Sequence, residues 1–175
     1  MNRFFKRIVR LLHKIIDSPT GYARFLGVSI GEKSTIGDNV HWPSEPYLIT
    51  IGRHVQVTNG VWFHTHGGGN AVRRAMPDFD CFGKINVCDW VYIGAGSQIM
   101  PGVTLAEGTL VAAGSVVTKS TSPYSVVGGN PARMICSVDE YLEKNAKYNV
   151  NSKKMTAEQK KEYLLGLSDE MFIKK

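Results

Sequence analysis

Aliphatic and aromatic residues recur at every sixth position through the middle of the chain. These residues are Ile51, Val57, Phe63, Val87, Ile93, Ile99, Leu105, Val111 and Val117. A small or β-branched residue follows four positions after each of them, except after Phe63, where Gly67 stands. A period of six fits neither an α-helix nor the alternation of a flat sheet. The pattern predicts a solenoid of short strands joined by tight turns, with three hexads per coil and the large residue facing the axis.

Two interruptions break this repeat. Ile30 and Ile36 keep the six-residue spacing in a phase shifted by three, so the segment 41–50 contains an extra half repeat. Phe63 and Val87 lie four hexads apart, but the stretch 67–84 between them has no hexad pattern. We therefore predict a loop insertion at 67–84 that leaves the solenoid at a corner. Long loops on regular scaffolds often carry function.

Both ends of the chain have helical patterns. Residues 3–16 combine apolar residues at three- and four-residue spacing with basic residues, which predicts a basic amphipathic helix. Its apolar stripe is expected to cap the open end of the solenoid, and contact with an anionic membrane surface is the alternative. Capping boxes at 137–140 and 156–159 predict two short helices. The expected organisation is a lead-in at 1–27, a solenoid domain at 28–136 and a helical extension at 137–175.

Charge and composition narrow the classes of function. The 175 residues are 43% hydrophobic and 21% charged, as in a soluble globular protein. The net charge is +6, but residues 1–14 carry five Lys/Arg and no acid, whereas 15–136 carry eight of each sign. The solenoid therefore has no basic stripe, which disfavours nucleic-acid binding. Three cysteines without CxxC spacing and a leader without an unbroken apolar run favour a cytoplasmic location, with the inner face of the membrane as an option.

Four stretches of the sequence carry a family resemblance. They are SEPYLITIG (44–52), VWFHTHGG (61–68), the run from VYIGAG to VVTKS (91–120) and YSVVGGNPARMI (124–135). On these stretches the chain resembles the hexapeptide-repeat acyltransferases, most of all the galactoside, maltose and streptogramin acetyltransferases and the polysaccharide O-acetyltransferases. The resemblance implies a left-handed parallel β-helix, a homotrimer and acetyl-CoA as co-substrate, with no metal. It implies acetylation of a sugar hydroxyl in a capsule, lipopolysaccharide or similar glycan; a small free acceptor is the alternative.

Acyl transfer to a hydroxyl needs a base, and histidine suits that task near neutral pH. The resemblance aligns His66 with the catalytic histidine of the family's Thr-His element. His64 follows an inward-facing residue, so its side chain is expected to point outward, and it is the second candidate. Many relatives have Asp directly after this histidine, where this chain has Gly67. Asp78 and Asp80 in the insertion are therefore candidates to orient His66.

Substrate-binding residues are implied by the same resemblance. Those assigned to coenzyme A are Ala95, Ala113, Thr118, Lys119 and Arg133. Small residues let a slender thioester arm approach the backbone, and the two cations suit phosphate. The candidates for acceptor binding are Glu45, Tyr47, Asn59 and Trp62. As an outward-facing aromatic residue, Trp62 is expected to pack against a neighbouring subunit, with stacking on a sugar face as the alternative.

Two other functions use a scaffold of this kind. A γ-class carbonic anhydrase holds zinc with three histidines between subunits, and His64 and His66 would supply two of them. Their two-residue spacing is shorter than the spacing in that family. A non-catalytic β-helix scaffold would tolerate loss of His66 and would not bind coenzyme A. Cys81 in the insertion has no dedicated base near it in the sequence and is regarded as incidental.

Overall fold

The computed structural model describes residues 3–174, which contain five α-helices and fifteen short strands. The helices are α1 (Arg3–Ile16), α2 (Pro19–Phe25), α3 (Asn70–Arg73), α4 (Val138–Asn145) and α5 (Ala157–Leu165). The strands are β1 (Ser29–Ile30), β2 (Thr35–Ile36), β3 (Ile49–Ile51), β4 (Gln56–Val57), β5 (Trp62–Phe63), β6 (His66–Gly67), β7 (Cys81–Phe82), β8 (Ile85–Val87), β9 (Tyr92–Ile93), β10 (Gln98–Ile99), β11 (Thr104–Leu105), β12 (Leu110–Val111), β13 (Val116–Val117), β14 (Ser125–Gly129) and β15 (Ala132–Ser137).

Three sheets form the body of the molecule, and the chain visits them in turn. Their strand orders are β1-β3-β8-β11, β5-β10-β13 and β2-β4-β9-β12-β14-β15. Val87 pairs with Leu105, and Ile93 with Val111, so one coil takes eighteen residues. Strands from successive coils are parallel, apart from the antiparallel pair β14–β15. The chain therefore winds as a three-sided solenoid, and the three-hexad coil predicted from the sequence is confirmed.

The predicted half repeat appears as a longer first coil. Ile30 pairs with Ile51 and Ile36 with Val57, an offset of twenty-one residues instead of eighteen. A 3₁₀ turn at Pro46–Leu48 occupies the extra length. This longer coil moves the segment before β3 to the corner where the insertion later leaves the solenoid.

A single column of aliphatic side chains fills the interior. All nine hexad residues named above are at most 2% exposed. The inner-corner residues Ser97, Thr109 and Ser115 are buried as well, and their hydroxyls are hydrogen-bonded: the Ser97 hydroxyl, for example, donates to the carbonyl of Ala112 at 3.0 Å. Burial of this column is the main favourable contribution to folding, because buried apolar area contributes about 25 cal/mol per Å².

Glycine at the corners meets two different requirements. Gly96 adopts a φ of 69°, a left-handed conformation that costs glycine little. Gly94 is needed for space, because a Cβ there would lie 2.5 Å from the backbone nitrogen of Ala113 on the next coil. Close stacking of coils therefore depends on residues without side chains at defined corner positions.

The N-terminal end of the solenoid is closed by α2 and not by α1. Ala23 of α2 is fully buried, and the Thr20 hydroxyl accepts a hydrogen bond from the backbone N–H of Ile36 at 3.2 Å. Ile15 and Ile16 of α1 are 72% and 76% exposed. The expectation that the stripe of residues 3–16 caps the solenoid was therefore wrong, because the shorter and smaller α2 fits the triangular end.

The insertion leaves and re-enters the solenoid at one corner. Its base is the antiparallel pair β6–β7, in which His66 pairs with Phe82 and Gly67 with Cys81. The backbone N–H of Gly83 donates to the carbonyl of Thr65 at 2.8 Å. Between these strands the chain forms the short helix α3 and a turn, so the segment 67–84 has its own local structure.

Residues 139–175 form a second compact unit after the solenoid unit of residues 1–138. Helix α5 begins with the predicted capping box: the Thr156 hydroxyl accepts from the N–H of Gln159, whose side chain accepts from the N–H of Thr156. Between the helices lie two 3₁₀ turns, Ala146–Tyr148 and Ser152–Lys154. Over residues 3–174, the structure contains no helix with the length and apolar character needed to cross a membrane.

Candidate active site

His66 lies at the corner where the insertion departs. Strand β5 directs Phe63 into the core, and the buried Thr65 turns the chain so that the His66 side chain points out beside the insertion. Phe82, on the returning strand, approaches the imidazole edge-on with ring centroids 6.2 Å apart. The imidazole remains 47% exposed, so a substrate can reach it.

A carboxylate holds His66 in one orientation. Nδ1 of His66 lies 2.8 Å from Oε2 of Glu45, and the Thr65 hydroxyl donates to the same oxygen at 3.1 Å. An ionised carboxylate only accepts hydrogen bonds, so Nδ1 carries the proton of the neutral ring. Nε2 is then the nitrogen with a free electron pair, as a general base requires.

Glu45 is suited to remain ionised. Hydrogen bonds from Ser44, His66 and Thr65 to its carboxylate lower the pKa of Glu45, against a smaller opposing effect of burial. The side chain of Glu45 is only 18% exposed, much less than that of His66. The pair therefore consists of a sheltered negative charge behind an accessible imidazole.

Among residues 3–174, the carboxylate that bonds His66 comes from the first coil and not from the insertion. Asp78 and Asp80, the candidates taken from the sequence, are exposed and make no hydrogen bond to His66. The sequence predicts that Glu45 contacts the acceptor, and that role stays a prediction. Its position could have been found by counting, because Glu45 and His66 are separated by twenty-one residues, the offset of the first coil.

The second histidine has a different environment. His64 lies on the outer face of the β5 sheet, where its Nε2 is 3.1 Å from Oε1 of Gln98. Trp62 lies on the same face, and its indole stacks on His41 at 3.6 Å between ring centroids. Side-chain contacts of this kind favour a packing role for His64. The side chain of Trp62 is 44% exposed.

Two of the predicted coenzyme A residues line one cleft. Lys119 and Arg133 border a cavity of about 230 Å³ at the C-terminal end of the solenoid, together with Ser122 and Ser125. Phe63, Ile99 and Val117 pair in register on neighbouring coils. Thr65 and Lys119 each come two residues after a member of this row, so they occupy the same corner of the solenoid on different coils. Two coils separate these corner positions, about 10 Å at the usual strand spacing. A long ligand bound at the two cations could therefore reach the imidazole along this edge.

Three other predicted residues lie at a different corner. Asn59, Ala95 and Ala113 occupy equivalent positions on successive coils, as the pairing of Val57, Ile93 and Val111 shows. Asn59 and Ala95 line one shallow pocket. One full side of the solenoid, six residues or roughly 20 Å of strand, separates this corner from that of His66. Within one chain the structure therefore does not bring Ala95 and His66 together.

The remaining candidates are accessible. Thr118 is exposed on the outer face that also carries His64, two coils further along the solenoid. Tyr47 is 68% exposed on the 3₁₀ turn that directly follows Glu45. Tyr47 is therefore the predicted acceptor residue that lies nearest to the pair in sequence. Within the described residues, no three His, Cys, Asp or Glu side chains are grouped as metal ligands.

Comparison with known proteins defines the family. A family model described as the hexapeptide repeat of succinyl-transferase matches residues 89–119. Protein CapG of Staphylococcus aureus is 44% identical over 154 residues, which cover 81% of this chain and 84% of CapG. With its hexad solenoid and corner histidine, the chain belongs to the hexapeptide-repeat acyltransferase family.

Solved structures give the same result for the fold. A hexapeptide-repeat acetyltransferase of Vibrio cholerae, VCA0836, superimposes with a TM-score of 0.60 at 29% identity, covering 75% of this chain and 90% of that one. The structure of VCA0836 in complex with acetyl coenzyme A superimposes with a TM-score of 0.54 at 28% identity, covering 67% of this chain and 75% of that one. NeuO, described as a polySia-specific acetyltransferase, superimposes with a TM-score of 0.52 at 25% identity, covering 63% of this chain and 48% of NeuO.

Proposed function

We propose that this enzyme transfers the acetyl group of acetyl-CoA to a hydroxyl of a sugar in a surface glycan, with His66 as general base. The observation that carries the proposal is the 2.8 Å contact between Nδ1 of His66 and Glu45, which leaves Nε2 as a base beside an accessible corner. The proposal includes the left-handed coil that the family resemblance implies, and a cytoplasmic location, which suits the free thiols.

The reaction follows from the two nitrogens of His66. Nε2 removes the proton from the acceptor hydroxyl as its oxygen attacks the thioester carbonyl, and the new imidazolium is stabilised by the Glu45 carboxylate. The tetrahedral intermediate then breaks its carbon–sulfur bond, and the sulfur receives the proton from Nε2. The products are the acetyl ester and free coenzyme A, and His66 returns to its neutral form. No covalent acyl-enzyme is needed.

Acetyl-CoA as donor is supported by the VCA0836 complex and by this chain's own cations. Lys119 and Arg133 border one cleft, and paired cations suit the phosphates of the nucleotide. A thioester arm leading from that cleft along the corner would extend toward His66. Ala95 and Ala113 belong to another corner, so they can contact the same donor only from a second copy of the chain. This separation supports the proposed homotrimer, in which neighbouring copies share each site.

A glycan acceptor is supported by exposed aromatic surface and by one relative. Tyr47 offers a face on which a sugar can stack, and Trp62, whose ring stacks on His41, keeps an accessible part of its surface. NeuO, with a similar fold, is named for a polysialic acid acceptor. A small free acceptor, such as a galactoside or an antibiotic, is the second candidate, because the same base serves either hydroxyl.

An acceptor screen tests this proposal. Purified enzyme is given acetyl-CoA with free sugars, nucleotide sugars, capsular oligosaccharides, galactosides and streptogramins, and thiol release is followed in each case. We expect turnover with a glycan or an activated sugar, and loss of that turnover in His66→Ala. Turnover on a streptogramin alone would refute the glycan acceptor. An absence of thiol release with every acceptor would refute the enzymatic proposal.

A further inference from the structure

Helix α1 presents an apolar face that nothing within the described chain covers. Six large apolar side chains of this fourteen-residue helix are exposed: Phe5, Ile8, Leu11, Leu12, Ile15 and Ile16. At 100° per residue these positions fall within one arc of the helix. Contiguous apolar surface of this kind usually marks an interaction site.

The helix is attached to the body through its other side. The imidazole of His13 stacks on Phe25 with ring centroids 3.6 Å apart, and Nε of Arg10 donates to the Tyr22 hydroxyl at 3.3 Å. His13 also contacts Asp17, at 2.9 Å. These contacts fix α1 to α2 through polar side chains. The apolar arc therefore points away from the solenoid although the helix itself is docked.

The charge of the N-terminal segment indicates what kind of surface would fit the apolar face of α1. Residues 1–14 carry five Lys/Arg and no acid, and the exposed Arg7, Arg10 and Lys14 belong to the described polar side. A second copy of the helix would bring the same charges and be repelled. An anionic lipid surface is complementary, since its headgroups attract the cations while the acyl boundary accepts the apolar arc.

We propose that α1 binds the surface of an anionic membrane, lying in the plane of the interface with its apolar arc inserted. A fourteen-residue helix is about 21 Å long, too short to span the hydrocarbon core. The charges at the edge of the arc lie at headgroup level. This inference stands apart from the proposed reaction, because none of its residues belongs to the candidate active site.

Vesicle binding by the intact protein tests this placement. The probes are phosphatidylcholine vesicles with and without phosphatidylglycerol, in a sedimentation assay at low and high salt. We expect binding to the anionic vesicles that weakens with salt. The double variant Leu12→Gln/Ile15→Gln should lower the binding constant by at least about tenfold. Arg7→Gln/Lys14→Gln should lower it by about tenfold and reduce the effect of salt.

Matched controls come from the second unit of the chain. Leu142→Gln/Leu165→Gln and Lys160→Gln/Lys161→Gln change exposed residues of the same chemistry and should leave vesicle binding unchanged. A Phe5→Trp variant should show a blue-shifted emission on anionic vesicles. Binding that is absent, or equal with neutral and anionic vesicles, would overturn the proposal. It would also be overturned if Leu12→Gln/Ile15→Gln dissociated an oligomer but left vesicle binding intact.

Discussion

Glu45 lies one coil before His66 and directs its Oε2 to Nδ1 of that ring at 2.8 Å. The two residues meet because the first coil is three residues longer than the others, which moves Glu45 to the corner from which the insertion leaves. A local irregularity of the repeat thus supplies the orienting carboxylate.

His66→Ala should lower turnover by at least about a hundredfold, because loss of a general base usually costs that much. The affinity for coenzyme A should change little, because the proposed phosphate contacts lie two coils away. His64→Ala is the matched control and should cost far less, since His64 contacts Gln98 on the outer face of the sheet. Steady-state kinetics with both variants would contradict the assignment if their effects were reversed.

Glu45→Gln should lower kcat at least about tenfold, because the amide no longer stabilises the imidazolium that forms during proton transfer. The KM for acetyl-CoA should stay nearly constant. Asp78→Asn and Asp80→Asn are the controls, and each should retain almost full kcat. A larger loss in either aspartate variant than in Glu45→Gln would assign the orienting role to the insertion instead.

The pH dependence of stability should also report on Glu45. Its pKa in the folded chain lies below the ordinary 4.5, so the folded state binds fewer protons than the unfolded state near that pH. The stabilisation is complete above about pH 4.5 and is lost as the pH falls through the lowered pKa. Thermal unfolding of the wild type and Glu45→Gln should therefore differ most near neutral pH and converge in acid. A constant difference across this range would contradict the lowered pKa.

Lys119→Gln and Arg133→Gln should each raise the KM for acetyl-CoA by about tenfold and leave kcat nearly unchanged, since charged hydrogen bonds to phosphate are strong. Lys33→Gln, at an exposed corner, serves as the control. With acetyl-pantetheine as donor, which lacks the nucleotide, the two variants should match the wild type. An equal defect with the shorter donor would show that these cations do not bind the nucleotide.

Gly94→Ala should destabilise the fold by about 1–3 kcal/mol, because the added Cβ meets the backbone of Ala113 on the next coil. Gly69→Ala is the matched control, as no atom lies within 4 Å of a Cβ at that position. Chemical denaturation of both variants measures the difference. Equal stability of the two would mean that the coils are not stacked as tightly as described.

The hexad repeat predicted the interior well because it is a local signal. Each inward residue, such as Ile93 or Leu105, is fixed by its position in its own hexad and needs no knowledge of distant parts of the chain. Contacts between coils depend instead on register, and one extra half repeat changes the register. The contact between Glu45 and His66 therefore follows only from the twenty-one-residue offset of the first coil, while a role of Glu45 at the acceptor stays a prediction.

The N-terminal helix shows a different limit. Amphipathic spacing predicted α1 correctly, but spacing alone does not say what an apolar face contacts. The end of the solenoid is narrow, and the small Ala23 on α2 fills it. The apolar spacing in residues 3–16 is the same for a helix that caps a core and for one whose apolar side faces outward.

Because the insertion is closed at its base, its length does not affect the geometry of the coils. Thr65 and Gly83 are joined by a backbone hydrogen bond, so the solenoid continues as though the intervening residues were absent. The entropic cost of closing a loop grows only slowly with the number of residues. This segment can therefore lengthen, shorten or be exchanged among related enzymes without a shift of the repeat. A change in this segment would therefore alter the surface beside His66 while the register of the coils stays constant.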